Sequence, residues 1–566
     1  MAEGKSLLKR AGVGASCVAA TTLVLSGSLA FRGASTSAAA GPRTSTHAAA
    51  GTLVLSTVSK TLWVKTMDPA IVTDLTSANV MQKIYNGLLK QAYNDRTKQF
   101  DIVPDLAQAV PAPTNGNTVY TFKLRAGLTF SDGTALTSAD VVHSILRTLN
   151  PKAYNGAPSP VASYLYAIKG ASDYNMGKAK SVAGLSAPNA STVVITLAKP
   201  AAYFLYAFTY PTSYVLKKSV AVGADLTRTP ALVIGAGPFM VRNHAWQYQH
   251  QMTLVPNPHY YDAARIKVKE LDIPIVGTVG GQFTAYQGGQ YPTAQIPSIL
   301  VRLYQSRPEF HSTPVLGTVY YSINSKYKPF SSKNFRLAVA YAINRDAIIS
   351  GVLKNTATKL LGWYPQGILG YDGSLSTQVP YYNPSKAKTY LAAARKELGS
   401  IPTISFEYTA DNEDTGRVAL QVQSDLKAVG ITMAVKPVPG NTWLADGVAQ
   451  KTPFIFNDWF DDYPDPQDFS DYLVRTGAGE NFGAYSNPAL DKLLDQGNVS
   501  FDNATRARIY KQAQLTILND ANEIMLYQAA AQGTISTKIH GMELNPSWAA
   551  DPQPLHNDWS NVTVDG

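Results

Sequence analysis

Residues 403–436, TISFEYTADNEDTGRVALQVQSDLKAVGITMAVK, constrain the fold more than any other stretch of this 566-residue chain. TISFEY reads as a strand, residues near 413–428 carry apolar positions at helical spacing, Gly430 ends that helix, and ITMAVK at 431–436 reads as a second strand. A strand–helix–strand run of this length closes as a right-handed parallel crossover. The second half of the chain is therefore predicted to be α/β. PFIF at 453–456 is read as a further strand that delivers the chain into a loop, NDWFDDYPDPQDF, at 457–469. Helix punctuation recurs nearby: Asn383-Pro384 opens a helix that Gly399 closes, and Asn487-Pro488 opens a shorter one that ends at Gly497.

The first half holds an equally readable corner. VYTFKL at 119–124 alternates as a half-buried strand, and Ser131-Asp132-Gly133-Thr134 forms a turn. Thr137, three residues before Asp140, gives a capping box. Val141, Val142, Ile145, Leu146 and Leu149 follow at helical spacing, and Pro151 stops the helix. None of these groups is catalytic, so the corner is scaffold. Strand-like and helix-like segments alternate from near Thr52 onward with no fixed-period repeat, which argues against a solenoid or a propeller.

At the N-terminus, Lys5, Lys9 and Arg10 precede an uncharged run at 11–31, the layout of an export signal, with small-residue cleavage sites after Ala30 and Ala40; a retained anchor is the rival reading. Residues 32–50 are small and polar, as in a tether. The single cysteine, Cys17, lies in the apolar run, so a chain starting later has no disulfide and no cysteine ligand or nucleophile. Of the formal net charge of +10, four charges belong to residues 1–50, and no basic run exceeds two residues, as in Lys217-Lys218. A nucleic-acid stripe is therefore not expected.

Sequence signatures of catalysis are scarce. The chain has no GxSxG, HExxH or Walker loop, and GAGPFM at 235–240 lacks the third glycine of a dinucleotide fingerprint. His244 and His250 are six apart and His250 and His259 nine apart, and neither spacing puts two imidazoles on one helix face, so a metal is not expected; no cofactor is expected either. The best site candidate is the acidic-aromatic stretch. Asp458, Asp461, Asp462, Asp465, Asp468 and Asp471 surround Trp459, Phe460, Tyr463 and Phe469, with Pro464 and Pro466 stiffening the turn. The register of a calcium loop is missing. The composition suits a rigid loop offering a carboxylate to a cation beside aromatic walls, but a solvated acidic loop is the commoner meaning of such a cluster and is the reading the residues alone favour.

FSDGTALTSADVVHSILRTLNP, from 130, resembles the signature of the extracellular solute-binding proteins of family 5, the peptide and nickel receptors of ABC importers. The likeness continues through MDPAIVTDLTSANVMQKIYNGLL from 67, GAGPFMVRNH from 235, VPNPHYYD from 255, FRLAVAYAINRDAI from 335, YNPSKAKTYLAAA from 382, DYPDPQDF from 462 and AYSNPALDKLL from 484. It implies an α/β, two-lobed periplasmic-binding-protein-like (type II) fold with an inserted domain and a hinge. The expected division is a signal or anchor plus tether at 1–50, one lobe at 51–86, 201–312 and 528–566, the inserted domain at 87–200, and the other lobe at 313–527. The implied function is non-catalytic capture of peptides outside the cytoplasmic membrane and delivery to permease subunits, by a monomer without cofactor. A same-family receptor for a metal chelate or sugar is the alternative, and a secreted hydrolase using the 457–471 carboxylates is the rival from another class.

By position, the resemblance gives Asp462 the role of holding a peptide α-ammonium, with Trp459 as a wall of the same pocket. Phe460 and Tyr463 are the other aromatic candidates, and Asp461 adds negative charge. Phe456 stands where some oligopeptide receptors carry an arginine, so the partner of a peptide carboxylate is not identified. The position of Cys17 near the start of the apolar run departs from the lipoprotein pattern and favours a secreted or helix-anchored receptor.

Overall fold

In the computed structural model the described residues are 51–58, 64–94, 96–244, 246, 252–410, 412–547, 552–554 and 557–565. The export segment, the tether and Cys17 lie outside them, as does His250. No helix among the described residues is long and apolar enough to cross a membrane.

Two lobes form around separate sheets. The larger sheet runs in the order Thr293–Gln295, Glu523–Ile535, Gly317–Ile323, Phe454–Phe460, Ile404–Thr409, Met433–Val438, with Phe310–Pro314 and Ala357–Lys359 also paired to Glu523–Ile535. The crossover forms as the sequence predicts: Ile404–Thr409 and Met433–Val438 pair in parallel, joined by helix Glu413–Val429. That helix starts at Asn412, whose side chain accepts from the Asp414 amide, and stops at Gly430, whose φ of 94° few other residues adopt. All seven residues of Gly317–Ile323 are buried, because helices and loops cover both faces of the sheet. One face carries Tyr321, Phe406, Phe454, Phe456, Ile524 and Leu526; the other carries Tyr320, Trp459 and Met525. Each large apolar side chain buried in this way contributes roughly 1.5–3 kcal/mol.

The other lobe is built on a four-stranded sheet, Thr52–Val54, Glu270–Ile273, Met252–Pro256 and Phe239–Val241. A three-stranded sheet of Val119–Lys123, Thr192–Thr196 and Leu185–Asn189 packs with helix Ser138–Thr148 around a core of its own. The capping box is present there. The Thr137 amide donates to Asp140 Oδ2 at 2.9 Å, and the Lys218 amide donates to Asp140 Oδ1 at 3.0 Å. The far end of the helix is tied by an ion pair between Arg147 and Asp68, with Nη2 2.6 Å from Oδ2.

The chain passes between the sheet regions along two strands that lie side by side. The first part of Glu523–Ile535 pairs with Gly317–Ile323, and its last part pairs with Phe310–Pro314 and Thr293–Gln295. At the junction Gln528 is 1% exposed and donates from Nε2 to the Val315 carbonyl at 2.8 Å, so a buried amide joins the two passages.

Two expectations are corrected. The strand read as 453–456 runs on to Phe460, because Asn457, Asp458, Trp459 and Phe460 continue the register against Gly317–Tyr320; the loop begins only at Asp461. The helix expected to end at Gly497 runs over Pro488–Val499. Gly497 marks a close approach: a Cβ there would stand 2.7 Å from Tyr510 Cζ.

Candidate functional site

Strand Phe454–Phe460 positions the acidic turn, and helix Pro466–Asp471 closes it. Asp465 caps that helix, accepting from the Gln467 amide at 2.9 Å, with Pro466 at the first helical position. The same carboxylate takes a two-pronged ion pair from Arg506, Nη1 to Oδ2 at 2.8 Å and Nη2 to Oδ1 at 2.9 Å. Arg506 also donates from Nε to the Gly497 carbonyl at 3.0 Å. The turn is therefore anchored from below by a guanidinium fork.

The solvated-loop reading does not hold. Asp461, Asp462, Asp465 and Asp468 are 8%, 2%, 2% and 0% exposed. Burial of such groups demands hydrogen bonds, and the turn and its neighbours satisfy one oxygen each of Asp461 and Asp468, leaving Asp461 Oδ1 and Asp468 Oδ1 without a partner. Asp468 Oδ2 accepts from Trp459 Nε1 at 2.9 Å and from the Asp462 amide at 3.1 Å. Asp461 Oδ2 accepts from Ser547 Oγ at 2.8 Å. Asp471 accepts from Arg475 Nη2 at 2.9 Å and from Asn498 Nδ2 at 2.7 Å.

Asp462 points away from this support and toward the other half of the molecule. Its Oδ2 accepts a short hydrogen bond from Tyr164 Oη, and its Oδ1 accepts from Tyr210 Oη at 3.2 Å. The two phenol rings stack with centroids 5.0 Å apart. Tyr463 stands edge-on to Tyr164 at 6.1 Å and stacks on Tyr206 at 5.9 Å. One carboxylate thus sits in an aromatic box assembled from segments 252 and 298 residues away along the chain.

Burial pushes the Asp461 and Asp468 carboxyls well above the usual range, and the Asp462 charge raises both further. Burial raises Tyr164 well above 10, with Asp462 the next cause, so its hydroxyl keeps its proton and donates. Asp458 is pushed up to about 6 by burial. The arrangement concentrates hydrogen-bond donors on Asp462 while its acidic neighbours hold protons more readily. Such a box suits a cationic group, received by a carboxylate between aromatic faces.

Of the residues singled out in the sequence, Asp461, Asp462, Trp459 and Tyr463 are brought together. Phe460, 40% exposed, ends the strand and lies against Gly317, where a Cβ would come within 2.7 Å of its ring. Phe456 is on the opposite face of the sheet from Trp459, because side chains three apart on a strand point to opposite faces. Its ring packs in the core 6.0 Å from Trp443, whose Nε1 donates to the Phe456 carbonyl at 2.8 Å. Tyr164, Tyr210 and Ser547 escaped the sequence reading, since no local pattern marks a tyrosine or serine that meets its partner only across the fold. Among the described residues no group of three or more His, Cys, Asp or Glu side chains is arranged to hold a metal ion.

A family model described as "Bacterial extracellular solute-binding proteins, family 5 Middle" matches residues 101–481. The oligopeptide-binding protein OppA of Bacillus subtilis is 24% identical over 475 residues, covering 81% of this chain and 85% of that one. The probable D,D-dipeptide-binding periplasmic protein DdpA of Escherichia coli is 26% identical over 495 residues, covering 85% and 90%. Among solved structures, the Escherichia coli murein tripeptide binding protein MppA superimposes with a TM-score of 0.72 at 23% identity, over 91% of this chain and 99% of that one.

Proposed function

The chain belongs to the bacterial extracellular solute-binding proteins of family 5, and on that footing we propose that it captures peptides outside the cytoplasmic membrane and passes them to the permease subunits of an ABC importer. In this reading Asp462 receives the peptide α-ammonium, and Trp459, Tyr463, Tyr164 and Tyr210 wall its pocket. Asp461 tunes the local charge, and Phe460 lies at the exposed edge. Phe456 supports the sheet from the far side and meets no ligand.

The observation that carries the reading is the placement of Asp462. It bridges the sheet at 313–527 to tyrosines at 164 and 210, so opening the molecule exposes the carboxylate and closing it buries the carboxylate. The moving parts are a lobe of 51–86, 201–312 and 528–566 with the inserted domain 87–200, against the lobe 313–527. A ligand that supplies an ammonium to Asp462 favours the closed form and shifts that equilibrium. Relatives named for oligopeptide and dipeptide binding support peptides as the ligand class. The partners are a peptide and the permease, the protein acts as a monomer, and the ligand is returned unaltered.

The test is calorimetric titration with peptides identified by native mass spectrometry of the gently purified protein. Asp462→Asn, or N-acetylation of the peptide, is expected to weaken binding by at least about 30-fold, since truncating one partner of a buried charge pair costs roughly 2–5 kcal/mol. Unchanged affinity in a folded Asp462→Asn protein removes the residue from the site, and hydrolysis of the peptide on prolonged incubation replaces the receptor with an enzyme.

A further inference from the structure

A cavity of about 10 Å³ lies between segments that meet only in the folded chain, lined by Gln82, Gln91, Phe100, Asn545, Gln553 and Asn557. Five of these side chains are carboxamides and the sixth is an aromatic ring, so every lining residue is neutral. Gln91 is 6% exposed, and its Oε1 has no hydrogen-bond partner. The orientation of that amide is fixed at its other end. Thr209 Oγ1 donates its one proton to the Tyr206 carbonyl at 2.8 Å, so it accepts from Gln91, whose Nε2 lies 2.9 Å away. Asn545 is oriented in the same manner: its Oδ1 accepts from the Ser547 amide at 2.9 Å, which leaves the Nδ2 hydrogens as donors.

Three contacts tie this cavity to the box around Asp462. Ser547, whose amide holds Asn545, donates from Oγ to Asp461. Thr209, which accepts from Gln91, directly precedes Tyr210, whose hydroxyl donates to Asp462. Phe100 belongs to the same apolar cluster as Trp459, Leu316 and Tyr320. A ligand anchored at Asp462 therefore has this cavity beside it, with a buried acceptor waiting there. Leaving such an acceptor unpaired is costly.

We propose, resting on the peptide-capture reading above, that the cavity is a specificity pocket for an uncharged hydroxyl of the ligand, carried by a seryl or threonyl side chain. A space of this size takes one water-sized group, which excludes a ring or a second carboxamide. A hydroxyl both donates to Gln91 Oε1 and accepts from Asn545 Nδ2. A carboxylate turns an acceptor toward Gln91 Oε1, and either an ammonium or a carboxylate loses its water without meeting an opposite charge in the lining. A methyl group fills the space and leaves the Gln91 acceptor unpaired. The ligand hydroxyl takes the place of a water and reproduces its hydrogen bonds, which is the favourable kind of water displacement.

The experiment is calorimetric titration of the full chain with tetrapeptides that carry serine at each position in turn, each paired with its alanine counterpart. At one position serine is expected to bind about fivefold tighter than alanine, the worth of one buried hydrogen bond. Gln91→Met keeps the length of the side chain and removes the acceptor, and it is expected to bring that ratio below about twofold. In crystals of the serine-peptide complex the ligand hydroxyl is expected within hydrogen-bond distance of Gln91 Oε1; should Gln91→Met fail to fold, that position decides. Ratios near one at every position, a ratio unmoved by Gln91→Met, or a water rather than a ligand atom beside Gln91 overturns the pocket while leaving Asp462 as the ammonium site. Absence of binding by every peptide overturns the pocket together with the peptide-capture reading.

Discussion

Replacing Arg506 by methionine tests the support beneath the acidic turn. The Arg506 and Asp465 side chains are 5% and 2% exposed, and their two hydrogen bonds of 2.8 and 2.9 Å are joined by a third, to the Gly497 carbonyl. Methionine preserves much of the packed volume but leaves Asp465 buried without its cation. Breaking a buried pair from one side costs about 3–5 kcal/mol, well above the 0–1 kcal/mol of an exposed pair. Asp465→Asn keeps an acceptor for the Gln467 amide while stranding the guanidinium, and a loss of similar size is expected. The double variant removes both charges together, so its loss should fall short of the sum of the singles by at least about 2 kcal/mol. Urea unfolding, read by tryptophan fluorescence and circular dichroism, gives all three values. Single losses below about 1 kcal/mol that simply add would refute the claim that this pair anchors the turn.

Three further perturbations are specific. With Asp458 raised to about 6 from 3.8, the folded protein holds that proton more tightly than the unfolded chain does, so the contribution of this group is fully present below pH 3.8 and is lost as pH rises through 6. Asp458→Asn should therefore flatten the stability curve between pH 4 and 6 and raise stability at pH 7.5 by up to about 3 kcal/mol; parallel curves for the two proteins would contradict this. Gly497→Ala places a Cβ 2.7 Å from Tyr510 and should cost about 1–3 kcal/mol in chemical denaturation; a neutral result would show that the ring yields. Thr137→Ala removes the side chain of the capping box and should cost about 1 kcal/mol while leaving ligand affinity unchanged; weakened binding would move that corner from scaffold into the site.

Local rules made the scaffold legible. Asn383-Pro384, Gly430, and Thr137 with Asp140 each satisfy backbone groups or turn the chain within a few residues, so helix ends could be read from neighbours along the chain. The parallel crossover at 404–438 followed from periodicity and length alone. The strand end at Phe460 and the helix end at Val499 could not be read in this way. The first is fixed by pairing with Gly317; in the second, Gly497 is there for the space that Tyr510 takes and does not end the helix, and both partners arrive from elsewhere in the chain.

The acidic turn divides along the same line. Its composition, its rigidity and its resemblance to a peptide-receptor loop are properties of thirteen consecutive residues, and the sequence by itself determined them. Tertiary structure decided whether the carboxylates are solvated or buried, because burial depends on what closes over them. It also decided that Asp462 meets Tyr164 and Tyr210, that Asp465 is held by Arg506, and that Phe456 faces a different core. Side-chain direction on a strand is set by parity, but which face meets which partner is set by contacts between residues hundreds of positions apart. Those contacts carry no signature in the local order of amino acids.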